Sequence, residues 1–530
     1  MNYVIPTIDW SVLMPTLIVA VTGIVALLIE MARPKQNNNL IIGVSLAGLL
    51  LGFWSLLGQL GQPPTSTMSG LVYRDQFAVL TQLMIVGVTF LCFLFSEAYL
   101  RQKRIAFGEF YPLALWSASG AMIMVGTESL LMLFIGLEVL SISLYCLAGM
   151  ARGEQRSEES ALKYFLLGSF ASAFLLYGIA WAYGASGSIS LDAFRIIQDL
   201  PDTVYPTMGL FALGLMLIGL GFKTSLVPFH QWTPDVYQGA PTNVTAFMGA
   251  VSKIAAFGAL YRVLSAAAPY QDAYMPVLVV IAILTMTVGN LAALVQKDVK
   301  RALGYSGVAH AGYILVGLLA HLKMPDKISL TAVIFYLISY SVMTVGAFAI
   351  IGLTAKSGKE GTRTQDLNGL WKTQPLAAVA LFVCLVSLIG VPPTAGFWGK
   401  AFIFGDALTA GLTTLAIALA INSVISTFYY WQIAKAAFVD ENTAVQNDFA
   451  PMSGGLKATA VFSMAGVLVA AFVASPLLTL GQSAGMDRVD NETKMQVLDP
   501  RVDVIPDDMP RPSGFAAPGG APPPAAEDGE

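Results

Sequence analysis

GFKTSLVPFHQWTPDVYQGAPTNVTAFMGAVSKIAAFG, residues 221–258, lies among long apolar runs yet carries Lys223 and Lys253 inside them, with Pro228 where a helix would continue. A lysine at the centre of a membrane helix costs on the order of 2.5–3.5 kcal/mol on insertion scales, so it demands an offsetting role. Pro228 removes a backbone donor and clashes with the carbonyl of Thr224, which opens the helical ladder beside Lys223. The freed carbonyls are expected to admit water and to accept hydrogen bonds from the ammonium. The stretch therefore reads as a membrane helix broken next to a buried charge.

The rest of the chain supports that reading. With 530 residues, 56% hydrophobic and 12% charged, and a mean hydropathy of +0.68, it lies far outside the soluble globular range. Apolar windows of roughly 20 residues fall at 11–31, 40–60, 75–99, 110–126, 129–150, 160–184, 207–229 and 242–265. A second set follows at 272–295, 302–320, 328–353, 375–408, 412–438 and 458–480. The expected fold class is an all-α polytopic membrane protein of about 14 transmembrane helices. The alternating short segments of a β-barrel are missing. Segment 375–408 is too long for one straight span and contains Val391, Pro392 and Pro393, so it is expected to be a second broken helix.

Basic residues collect in alternate loops, among them Arg33, Lys35, Arg101, Lys103, Arg104, Arg152, Arg156, Lys297, Lys300 and Arg301. By the positive-inside rule these loops face the cytoplasm and both termini face away from it. The first apolar run reads as a retained span, because no basic residue precedes it and it is too long for a signal-peptide core. The net charge of -4 gives no sign of a nucleic-acid partner. Cys92, Cys146 and Cys384 stand apart with no metal-binding spacing. Ala401 after Gly399 and Lys400 excludes a phosphate-binding GK[ST] ending. Residues 481–530, rich in Pro, Ala and acids, are expected to be a disordered tail.

A repeat is visible in the middle of the chain. KYFLLGSFASAFLLYG from Lys163 and IFYLISYSVMTVGAFA from Ile334 share an aromatic pair, an aliphatic pair and interspersed small residues. If they correspond, the break at Pro228 corresponds to that at Pro392 and Pro393, and Lys223 to Lys400. An odd number of spans per copy reverses the second copy in the membrane, an architecture of transporters. The expected organisation is a three-helix segment over 1–106, inverted five-helix repeats over 107–268 and 269–440, a last membrane helix over 441–480 and the tail over 481–530.

Five further residues join the candidates. Glu138 has long uncharged stretches on both sides, and a buried carboxylate must find a cation or protonate, so an internal lysine is its expected partner. Lys400 lies beyond the second break. Lys163 follows Glu159 by four residues, a spacing that also makes an ordinary exposed helical pair. His310 lies well inside a span, where an isolated histidine is more often a satisfied core residue than a relay. His230 is read as interfacial, with a role in admitting protons left open.

The residues that carry a family likeness are now assembled: GLEVLSISLYCLAG (136–149), SALKYFLLGSFASAFLLYGIA (160–180), FKTSLVPFHQWTPDVYQGAPT (222–242), LVQKDVKRALGYSGVAHAGY (294–313) and GVPPTAGFWGKAFIF (390–404). Over about residues 10–480 the chain resembles the antiporter-like subunit N (subunit 2) family of proton-pumping NADH:quinone oxidoreductase, respiratory complex I. Mrp-type cation/proton antiporters share the fold and are the alternative. Tyr237 in PDVYQGAPT looks like subunit N, and Lys400 fits N or L but not M. The resemblance implies a proton-translocating translocase subunit. In it Glu138 and Lys223 form a coupling pair, Lys253 is a central relay, Lys400 is the terminal lysine, and Lys163 and His310 modulate or bridge the chain. It also implies no cofactor in this chain, with NADH, FMN, iron-sulfur clusters and quinone in partner subunits. Subunits M and K would be neighbours in a bacterial inner membrane.

Overall fold

Helix boundaries follow the punctuation of the sequence. In a computed structural model that describes residues 8–32, 39–105, 108–200, 204–356, 358–438 and 449–472, the first helices are α1 (Trp10–Ala32), α2 (Asn39–Leu57), α3 (Gln76–Lys103), α4 (Phe110–Val125) and α5 (Leu130–Ala148). Asp75 caps α3 by accepting from the Ala78 amide at 2.7 Å, and Ser129 caps α5, each satisfying an amide that a helix start leaves unpaired. Next come α6 (Gln155–Ser186), α7 (Ala193–Gln198), α8 (Val204–Thr224), α9 (Trp232–Gly239) and α10 (Thr242–Ala266). The remainder are α11 (Gln271–Leu294), α12 (Val299–Lys323), α13 (Thr331–Ile351), α14 (Leu370–Thr373), α15 (Pro375–Ile389), α16 (Ala395–Thr409), α17 (Thr413–Phe438) and α18 (Gly454–Phe472).

Eleven of the described helices are long and apolar enough to cross a membrane. Three further apolar helices, α4, α15 and α18, are shorter. Both expected breaks are present: α8 stops at Thr224 and α9 begins at Trp232, while α15 stops at Ile389 and α16 begins at Ala395. Residues 473–530 are outside the described set, so the expected tail and the end of the last expected span are too. Arg33 and Lys35 also lie outside it.

α10 and α12 are buried along almost their whole length, and α13 nearly so, whereas α1, α2, α6, α11 and α17 keep one face outward. A helix apolar all round belongs in the centre of a bundle, and these three central helices carry Lys253, His310 and a stripe of tyrosines. Small residues set close contacts at the flanks. A Cβ on Gly120 would meet the Leu140 amide of α5 at 2.5 Å, and one on Gly289 would meet the Ala309 amide of α12 at 2.6 Å. Where lipid is as apolar as leucine, such backbone approach is what holds helices together.

Two polar ends frame the central helices. At one, the hairpin of β3 (Ala355–Lys356) and β4 (Lys359–Glu360) lies beside the last turn of α3, with Gly358 donating to Gln102 O. Val299 at the start of α12 donates to Thr362 O. At the other, β1 (Thr65–Thr67) and β2 (Val72–Arg74) lead into α3, and Arg262 of α10 donates to both carboxylate oxygens of Asp75, at 2.8 and 3.1 Å, and to Val125 O at 2.7 Å.

Candidate functional site

Lys223 occupies the last turn of α8 and is 2% exposed. Beyond Thr224 the chain turns through Ser225, whose φ of 65° ends the helix. Three carbonyls of this last turn are already taken. Leu226 donates to Gly221 O, Ser225 to Phe222 O, the Trp232 indole to Phe222 O at 2.8 Å and the Thr224 hydroxyl to Leu220 O. The ammonium instead donates to Ser141 Oγ at 2.7 Å and to Tyr164 OH at 3.1 Å. This corrects the expectation that broken-helix carbonyls hold Lys223. The indole and the backbone reach those carbonyls first, and two hydroxyls from α5 and α6 supply the acceptors that a buried ammonium requires.

Glu138 lies one turn before Ser141 on α5. It is half-buried, and its Oε1 has no hydrogen-bond partner. Among the described residues no ion pair joins it to Lys223, so the expected direct contact is not formed; Ser141, between them on the same helix face, takes the ammonium. A cavity of about 10 Å³, counted as space for a water's centre, lies against Ser141, Tyr145 and Lys223, the size needed for a single water.

At the second break the expectation made for Lys223 is met by Lys400. This residue sits on α16, 6% exposed, and reaches back over the break to donate to Leu388 O at 3.0 Å and Ile389 O at 2.9 Å. Its ammonium lies over the Tyr313 ring, 4.9 Å from the centroid. Gly390 between them has φ 90°, and a Cβ there would meet Lys400 Cδ at 3.0 Å, so both conformation and space call for glycine.

Lys253 and His310 lie between the breaks. Lys253, 1% exposed, donates to Gly307 O of α12 at 2.6 Å, with Tyr340 of α13 beneath its ammonium. His310 is clamped by two phenols, Tyr336 OH at 2.8 Å from Nδ1 and Tyr430 OH at 3.0 Å from Nε2. A neutral imidazole donates from one nitrogen and accepts at the other, so one phenol donates here and the other accepts. Tyr430 also hydrogen-bonds Ser306. Nearby, Asn290 donates to Tyr313 OH at 3.0 Å and accepts from Tyr429 OH at 3.1 Å, which holds the ring under Lys400.

Lys163 is apart from this buried row. Its side chain is 42% exposed and pairs with Glu159 at 2.6 Å and Asp235 at 2.9 Å. Asp235 also pairs with Arg301. Burial pushes the Asp235 carboxyl up, but bonds and charge from Lys163 and Arg301 outweigh it and hold it below the ordinary carboxylate value. These groups line an open polar recess of about 280 Å³. His230 is half-buried, with Nδ1 unpartnered.

Sequence reasoning passed over three groups of polar residues. Arg262 is an ionisable residue inside an apolar run, and the argument used for Lys223 would have found it. Lys103 and Lys300 counted only as loop charges, yet both are buried around Glu360. The tyrosines gave a weaker signal, since a tyrosine in a membrane helix usually marks an interface. The four-residue spacing of Tyr336, Tyr340 and Thr344 along one helix face was the pattern available. Among the described residues no group of three or more His, Cys, Asp or Glu gathers as a metal site.

With this geometry in place, comparison with known proteins is informative. Residues 127–426 match the family model described as NADH:quinone oxidoreductase/Mrp antiporter, TM. NADH-quinone oxidoreductase subunit N of Trichlorobacter lovleyi is 38% identical over 483 residues, covering 90% of this chain and 97% of the relative. Among solved structures, a chain of respiratory complex I from Thermus thermophilus aligns at a TM-score of 0.75 and 35% identity, covering 88% of this chain and 99% of that one. A chain of the Mrp complex from Dietzia sp. aligns at 0.80 with 24% identity, covering 91% and 98%, a likeness of fold. The chain belongs to the NADH-quinone oxidoreductase subunit N family.

Proposed function

We propose that this chain is a proton-translocating membrane subunit of an NADH:quinone oxidoreductase, moving protons along buried lysines while quinone is reduced in other subunits. The observation that carries this reading is the set of three lysines, Lys223, Lys253 and Lys400, each at most 6% exposed and each bonded only to uncharged partners within apolar helices. A structural charge is normally matched by an opposite one, as Arg262 is by Asp75. Three buried amines without a matching charge are suited to taking up and giving off protons.

In this reading Glu138 and Lys223 couple the subunit to its neighbour, Lys253 is the central relay, His310 bridges onward, and Lys400 exchanges with the outer side. Lys163 modulates from the polar recess. The eleven long and three shorter apolar helices make fourteen spans, with inverted repeats over 107–268 and 269–440, flanked by 1–106 and by 441–480 with the tail 481–530. The basic loops face the cytoplasm of a bacterial inner membrane, and both termini face away. NADH, FMN, iron-sulfur clusters and quinone are held by partner subunits, and subunits M and K are the neighbours.

The test is Lys223→Met in the assembled complex. Proton translocation driven by NADH is expected to be lost and coupled quinone reduction to fall, with the variant chain still present in the purified complex. Normal pumping would defeat the reading. The alternative, a cation/proton antiporter subunit, has the shared fold in its favour, and sodium-dependent exchange by the chain without an oxidoreductase partner would establish it.

A further inference from the structure

The group around Glu360 takes no part in the lysine row, yet it closes the end of the helix that carries Lys253. Glu360 has a side chain 5% exposed. It accepts from Tyr99 OH at 2.8 Å and from the Thr242 hydroxyl, with the Lys103 ammonium at 3.7 Å and that of Lys300 at 3.9 Å. Lys103 also pairs at 2.7 Å with Glu154, whose side chain is 39% exposed. Carboxylate, ammonium and carboxylate thus step inward from solvent.

From there the α10 positions 242, 245, 249 and 253 fall on one face, since residues three and four apart lie above one another. Gly249 lets Tyr237 and Thr344 close in on that face. A Cβ there would lie 3.3 Å from Tyr237 OH and 3.3 Å from the Thr344 methyl carbon. Thr344 lies one helical turn beyond Tyr340 on α13. At Gly307 a Cβ would lie 3.0 Å from Tyr340 OH and 3.8 Å from Lys253 Nζ, so phenol and amine meet there. Hydroxyl groups therefore stand at Glu360, beside Gly249 and beside Lys253.

We propose that Glu360 is the carboxylate at which protons are taken up on the basic face, and that the hydroxyls of Thr242, Tyr237, Thr344 and Tyr340 deliver them to Lys253. This rests on the proton-translocating reading above. A hydronium at the surface gives its proton through Lys103 to the Glu360 carboxylate and leaves as water. The carboxylic acid releases it to the first hydroxyl, each hydroxyl takes one proton on its oxygen and passes its own onward, and the neutral Lys253 amine becomes ammonium. Only O–H and N–H bonds form and break, with water able to bridge the longer steps.

The test uses the complete complex in proteoliposomes with NADH-driven proton uptake as readout. Glu360→Gln keeps one acceptor oxygen for Tyr99 or Thr242 but cannot carry a proton, so Glu360→Asp, which keeps the carboxylate, separates proton carriage from packing. Glu360→Gln is expected to slow proton translocation about tenfold or more, the scale of losing one proton-transfer group, and Glu360→Asp is expected to restore most of the rate. Tyr237→Phe and Thr344→Val, which remove only a hydroxyl, are expected to slow it several-fold and decide the matter if Glu360→Gln does not assemble. Wild-type rates in Glu360→Gln and Tyr237→Phe, beside a Lys253→Met control that does not pump, would overturn the route and leave the function standing. A Lys253→Met complex that pumps normally would overturn both.

Discussion

The two broken helices carry their lysines on opposite sides of the break. Lys223 precedes the first break and belongs to α8, while Lys400 follows the second and belongs to α16. Both ammonium groups nevertheless lie at the C-terminal end of the first half-helix, where the helix dipole favours a cation. One is native to that end, and the other arrives from the far side. Their partners differ: Lys223 meets two hydroxyls and Lys400 two carbonyls. A hydroxyl can turn and donate to a neutral amine, whereas a carbonyl only accepts. Proton release from Lys223 is therefore compensated in place, and release from Lys400 requires it to leave the carbonyls.

The largest expected effect separates the two directly. Lys400→Met strips the acceptors Leu388 O and Ile389 O of their donor, at about 1–3 kcal/mol for each carbonyl left unpaired. It should lower both proton translocation and the thermal stability of the assembled complex. Lys223→Met leaves Ser141 bonded to Leu137 O and the break capped by Trp232, so pumping is lost with little change in melting temperature. Equal destabilisation by both would erase the distinction.

Glycine tests the breaks themselves at a smaller scale. Gly390→Ala forces a side chain into the left-handed region and against Lys400, costing about 1–2 kcal/mol of stability, read as a lower melting temperature with slower pumping. Ser225→Gly relieves positive φ but loses the 2.9 Å bond from Thr233, so its net effect should lie within about 0.5 kcal/mol. Ser141→Ala removes one of two acceptors of Lys223, worth about 1 kcal/mol, and should slow proton transfer a few-fold. The smallest effect belongs to Lys163→Ala. Its ion pairs are half-exposed and contribute less than about 1 kcal/mol, so stability should be unchanged and the pumping rate reduced modestly.

Both breaks were legible in the sequence because proline and glycine act locally, and the helices between them because membrane spans are written in composition. Which carbonyl, hydroxyl or indole meets an ammonium depends on tertiary packing, and so the carbonyl environment expected for Lys223 is found at Lys400. Lys163 illustrates the same limit. Its partner Glu159 follows from helical spacing, whereas Asp235 comes from α9, brought alongside only when the first break folds back. The burial of Glu360 was hidden for a different reason. It lies in a polar loop whose composition resembles that of any solvated connection, and only the convergence of α3, α10 and α12 encloses it.

The central claim is that protons pass through amines held inside the bundle, and Lys253 lies between the two breaks. Protons translocated per NADH oxidised, measured in proteoliposomes bearing the fully assembled Lys253→Met complex, test it most directly. A fall in that ratio with electron transfer still detectable is the predicted result. A ratio equal to that of the unmodified complex would contradict the account.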